Sequence, residues 1–179
     1  KKIGVHRPKG LKPDLWQQIR WVNGSGRAMP RTMLRNGWRS TLTTYGYELA
    51  TLNHYALRSA ESFLVKRDRG RVNHVDRDQG LNYWFRMNFN VEQDRSIQRL
   101  LPEVREGMDR LLALPGVAAQ HAACIAAHRA RITELRDRPD QAEFYATLTS
   151  PRMQRLSRLH GHFGANVYHV GPGCIPDDL

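Results

Sequence analysis

The first 45 residues hold ten lysines and arginines (Lys1, Lys2, Arg7, Lys9, Lys12, Arg20, Arg27, Arg31, Arg35 and Arg39) against one acid, Asp14, a balance of +9. The remaining 134 residues hold 18 basic and 16 acidic side chains, a balance of +2. Cations crowded into one end repel one another, so that end orders best when an acidic partner neutralises it. Nucleic acid is the commonest such partner for a chain of pI about 10.3. No apolar run reaches the roughly 18 residues of a membrane-spanning helix, so no membrane span is expected.

Residues 1–30 are punctuated by Gly4, Pro8, Gly10, Pro13, Gly24, Gly26 and Pro30, and only "DLWQQIRWV" (14–22) has the makings of a short helix. The rest reads as an extended basic arm. From Arg31 to Thr44 a helix is expected: Leu34, Trp38 and Leu42 form a stripe that can bury, and Arg31, Arg35 and Arg39 form a basic stripe beside it. Tyr45-Gly46 ends it. Residues 47–52 suit a short strand, and Asn53 caps a helix over 55–66 whose apolar face is Ala56, Leu57, Ala60, Phe63 and Leu64.

Residues 67–80 read as a charged loop, and the aromatic run 81–90 as packed on the body. Helical spacing marks 96–114, then Pro115-Gly116 breaks it. An Ala-rich helix over 117–137 and a shorter one over 140–148 follow. Two short strands, 152–159 and 165–170, flank His160 to Gly164 as a hairpin, and the last residues form a tail. Cys124 and Cys174 are far apart without Cys-x-x-Cys spacing, which fits reduced thiols.

The arm cations with Arg31, Arg35, Asn36 and Arg39, and Arg152, Arg155 and Arg158 on an acid-free strand, are the candidate RNA contacts, because phosphate neutralisation dominates RNA affinity. Trp38 and the trio Tyr83, Trp84 and Phe85 can stack on bases, but core packing suits their place in the pattern better. His121, Cys124 and His128 share one helical face at metal-bridging spacing. They lie in a run of Ala and lack a fourth ligand except for distant Cys174, His160 or His162, so they are expected to face an apolar surface without metal. Glu48, Glu61, His160 and His162 are the residues a nuclease site would draw on, yet no spacing joins them, and no phosphate-cradling Gly loop or paired-carboxylate signature is present. No catalytic residue, cofactor or metal is assigned.

The helix opened by "MLRN" (Leu34, Arg35, Asn36), the Tyr45-Gly46 corner, then Ala50, Thr51 and Leu52, resemble the bacterial-type large-subunit ribosomal protein L-seventeen family. So do the second-helix residues Leu57, Arg58, Leu64 and Val65, and the pair of segments carrying Arg155, Leu156, Arg158 and Leu159 and then Ala165 to Val170. The resemblance covers 31–66 and 152–170. Met29 and Pro30 stand where the family has a His-Arg pair, "LTSPRM" replaces its Gly-Gly-Tyr-Thr run, and the middle is enlarged.

The expected architecture is α+β and two-layered: a small mixed sheet of 47–52 and the two C-terminal strands, covered by helices, with the basic arm extended. Residues 1–30 are the arm, 31–170 the domain with its enlarged helical middle at about 105–150, and 171–179 the tail. The resemblance implies a structural constituent of the large ribosomal subunit, a ribonucleoprotein component of translation. It would bind large-subunit rRNA near the nascent-chain exit beside neighbouring ribosomal proteins, with no small-molecule substrate. Divergence and insertion suggest a mitochondrial ribosome in the matrix, with the bacterial cytoplasm or a plastid as alternatives. The start at Lys1 fits a removed targeting peptide or a truncation. A free RNA- or DNA-binding factor and, third, a nuclease-type enzyme remain open.

Overall fold

The computed structural model describes residues 2–3, 8–37, 41–70 and 79–179, and the chain divides into two units, 1–54 and 55–179. In the first, β1 (Lys2–Ile3) pairs antiparallel with β2 (Pro8–Gly10). A 3-10 turn at Pro13–Leu15 follows, then an isolated bridge between Val22 and Ala28, and α1 (Arg31–Asn36). The α1 helix packs on β2, and the Leu11 amide donates to the Leu34 carbonyl at 2.8 Å. A Cβ on Gly10 would sit 2.6 Å from that same oxygen, so only glycine lets the two backbones approach this closely. Leu11, Met33, Leu34 and Thr44 are buried.

The second unit is helical. Its helices are α2 (Ala60–Arg69), α3 (Leu81–Met87), α4 (Leu101–Leu112), α5 (Val117–Asp137), α6 (Pro139–Leu148), α7 (Pro151–Arg158) and α8 (Val167–Val170), with 3-10 turns at Ser96–Leu100, His160–His162 and Pro172–Cys174. Ser59 starts α2 by accepting from the Ser62 amide at 3.2 Å, and Gly70, at φ +74°, ends it. Ala60, Phe63 and Leu64, spaced for one helical face, are buried where α2 meets α5 and α6. The core joins Phe63, Trp84, Phe85, Leu148, Met153, Leu156 and Ile175. The Phe63 ring lies 5.1 Å from Trp84 and 6.3 Å from Phe144.

The helices over 117–137 and 139–148 lie close to where the spacing puts them, and Trp84 and Phe85 are core as expected. The α+β expectation is wrong. Among the described residues the sheet is only the β1–β2 pair, and none of the three expected strands forms. Residues 47–52 are irregular because the Leu49 and Ala50 amides both donate to one carbonyl, that of Gly24, at 2.9 Å. Residues 152–159 are α7, whose start is capped by Ser150 accepting from the Met153 amide at 3.2 Å, with Pro151 in the first turn. Met153, Leu156, Ser157 and His160 bury at a spacing of three to four, a helical period rather than alternation. Residues 167–170 form α8.

Three further expectations change. Residues 8–30 are not a free arm: β2 and Leu11 pack on α1, and the turn at 23–26 packs on 46–50. The first helix stops at Asn36, so Leu42 leaves the supposed buried stripe and is 89% exposed, while Trp38 and Arg39 lie outside the described residues. The second helix begins at Ala60 rather than near Tyr55, because Ser59 and not Asn53 provides its cap. It runs on to Arg69, and of the charged loop expected over 67–80, residues 71–78 lie outside the described residues. Among the described residues no single helix is long and apolar enough to cross a membrane.

Candidate nucleic-acid interface

The basic surface of the first unit is carried on interlocked loops. Asn23 organises them: its Oδ1 accepts from the Ser25 and Arg27 amides at 3.0 Å each, and its Nδ2 donates to the carbonyls of Thr44 and Tyr45 at 3.3 and 3.0 Å. A Cβ on Gly24 would stand 2.3 Å from the carbonyl oxygens of Gly46 and Ala50, so the turn at 23–26 seats backbone to backbone against 46–50. Gly46 is thus required for close approach to Ser25 rather than as a helix end.

On this scaffold Lys12, Arg20, Arg27, Arg31, Arg35 and Asn36 are exposed. Arg31 and Arg35 project from α1 while Met33 and Leu34 are buried. The Arg35 guanidinium lies 5.7 Å from the Trp16 ring centre, which leaves its donors available for phosphate. Arg27 pairs with Glu48 at 3.8 Å, but both side chains are mostly exposed, so the pair is worth little and yields readily to a phosphate. Lys2 and Lys9 lie on β1 and β2, and Lys1, Arg7 and Arg39 fall outside the described residues. Tyr45 and Tyr47 stand exposed in the same unit, with ring centres 5.8 Å apart. Sequence reasoning does not single out this pair as a site; the signal is two tyrosines flanking a glycine in a cationic stretch. Cations together with exposed rings can hold phosphates and stack bases.

The three C-terminal arginines lie on α7, not on a strand. Arg152 is committed to the protein: its Nη2 donates to the Ile175 carbonyl at 2.6 Å, and its Nε is 3.5 Å from an Asp177 oxygen. Arg155 donates to the Leu179 carbonyl at 3.0 Å, and Arg158 is exposed. They therefore do not form one RNA-facing row.

His121, Cys124 and His128 are exposed on α5 rather than packed on an apolar surface, and the His128 Nε2 is 3.2 Å from the Ser62 hydroxyl. Among the described residues no three His, Cys, Asp or Glu side chains gather as metal ligands. The nuclease candidates of the second unit do not converge either. Glu61 accepts from the Tyr145 hydroxyl at 2.5 Å, a bond that holds the Glu61 carboxyl below its ordinary pKa and pushes the Tyr145 hydroxyl up. His160 is buried among Phe85, Phe89, Phe163 and Tyr168, and neither ring nitrogen makes a well-formed hydrogen bond. Burial lowers its pKa against the weaker opposing pull of the Phe85 backbone. His162 is exposed, and Glu48, in the first unit, is the partner of Arg27.

No protein-family model, curated protein or solved structure matches this chain.

Proposed function

We propose that this chain is a structural RNA-binding protein that engages large-subunit rRNA through its 1–54 unit, as a constituent of a mitochondrial ribosome. The observation that carries the reading is the unspent charge. Lys12, Arg20, Arg31 and Arg35 are exposed, as are Tyr45 and Tyr47, in a unit of ten cations and two acids. Exposed guanidinium groups and rings suit phosphates and unstacked bases, and no catalytic constellation among the described residues competes for them. The ribosomal part of the reading draws on the resemblance over 31–66. None of the strands it implies forms here: 47–52 are irregular, and Pro151–Arg158 and Val167–Val170 are helices.

Co-sedimentation tests it. The chain should stay with the large subunit through a high-salt wash, and Arg31→Glu/Arg35→Glu should leave it in the supernatant while the circular dichroism is unchanged. Retention of the doubly reversed variant would overturn the interface. RNA binding without subunit association would favour a free RNA-binding factor instead.

A further inference from the structure

A second basic site lies wholly inside the 55–179 unit. A cavity of about 340 Å³ opens beside α2, within the ordinary size range of ligand pockets. Ser62, Lys66 and Arg69 line it at positions i, i+4 and i+7, one face of the helix; Arg58 enters from the preceding segment and His128 from α5. Among the described residues its charged lining is entirely basic. The acids of α2 are occupied elsewhere, Glu61 by Tyr145 and Asp68 by Arg131 at 2.6 Å.

The Lys66 ammonium is fixed in the wall, donating to the Ala56 carbonyl at 2.7 Å and to the Tyr83 hydroxyl at 3.1 Å. Arg58 and Arg69 differ from the arginines around them. Arg67 packs over Phe144, Arg136 over Tyr145, and Arg131 and Arg138 pair with acids, whereas Arg58 and Arg69 have no protein partner among the described residues. At the rim Tyr55 is 63% exposed.

Two uncommitted guanidinium groups, a fixed ammonium and an open aromatic ring suit a phosphate and the base next to it. We infer that this cavity binds one nucleotide of single-stranded RNA, its phosphate held by Arg58 and Arg69 and its base stacked on Tyr55. The inference rests on the reading of the chain as an RNA-binding protein.

The test uses the full chain and a short oligouridylate carrying one 4-thiouridine, with an abasic oligonucleotide of the same length as control. Crosslinked peptides should include Tyr55. Arg58→Gln/Arg69→Gln should make the slope of log affinity against log salt shallower by about 0.7, the value for one phosphate contact on a single strand. Tyr55→Leu should weaken the intact oligonucleotide about 5-fold or more, the lower end for losing one stacked base, and leave the abasic one unchanged. Crosslinks confined to residues 1–54, with an unchanged slope in the double variant, would sink this site and leave the RNA reading standing. Equal affinity for intact and abasic oligonucleotides would overturn the nucleotide assignment in favour of a bare phosphate. Failure of the wild-type chain to bind any RNA would remove both readings. Crosslinking on the unmutated chain decides the matter even if a variant misfolds.

Discussion

Residues 1–54 bury Leu11, Met33 and Leu34 and tie their loops with the Asn23 side chain and the Gly24 carbonyl. Residues 55–179 instead gather Phe63, Trp84, Phe85, Leu148, Met153 and Leu156 into one apolar cluster. The two also treat charge differently. In the second unit Arg110, Arg131, Arg138 and Arg152 each reach an acid, while in the first Arg27–Glu48 is the one ion pair among the described residues. Cohesion from apolar burial leaves a unit stable without a partner. A unit held by backbone hydrogen bonds under unrelieved positive charge gains stability when a polyanion binds it, because a ligand that binds only the folded form stabilises that form.

The comparison breaks most easily at Phe63. Phe63→Ala should cost about 3–5 kcal/mol, the usual range for emptying an aromatic core site, read from urea unfolding. A loss below about 1 kcal/mol, a fraction of that range, would show that the aromatic cluster does not carry the second unit. Gly24→Ala probes the other mode of cohesion. Its Cβ would meet two backbone oxygens at 2.3 Å, so the 23–26 turn must part from 46–50. The cost should be about 1–3 kcal/mol, with hydrogen-exchange protection lost at the Leu49 and Ala50 amides and kept at Phe63. Protection unchanged at Leu49 and Ala50 would mean that the loops are not clasped there.

The smallest effect is expected at His160. Burial depresses its folded pKa below the ordinary 6.5, so the unfolded chain takes up the proton first. Its contribution is therefore complete above about pH 6.5 and is lost as the pH falls through that value toward the folded pKa. Urea midpoints should drop between about pH 7 and pH 5.5 in the wild type and drop less in His160→Leu. An equal drop in both would assign the pH dependence elsewhere.

Part of this fold is legible along the chain. The helices over 117–137 and 139–148 are long enough for their spacing and their prolines to declare them. The segment 152–159 is short enough to be read as a strand, yet Met153, Leu156 and Leu159 recur every third residue, a spacing that alternation cannot keep on one face. Ser150-Pro151, a cap followed by a first-turn proline, is the local sign that favours helix. Residues 47–52 carry no such sign: what prevents a strand is the Gly24 carbonyl, more than twenty residues away. Tyr55, Arg58, Arg69 and His128 are equally unreadable as a group, since α5 brings His128 to α2 only through packing.

By itself, the sequence determined the charge asymmetry, the helical character of the middle and the aromatic material of the core, because each depends on composition or on residues within two turns of one another. Tertiary structure alone decided that Leu42 stays in solvent while Leu34 is buried. It also decided that Arg152 is committed to carbonyls of the C-terminal segment while Arg58 and Arg69 have no partner among the described residues. The physical reason is the same in each case. Burial and the pairing of a charge depend on which distant backbone or side-chain atoms arrive beside a residue, and a local pattern carries no record of them.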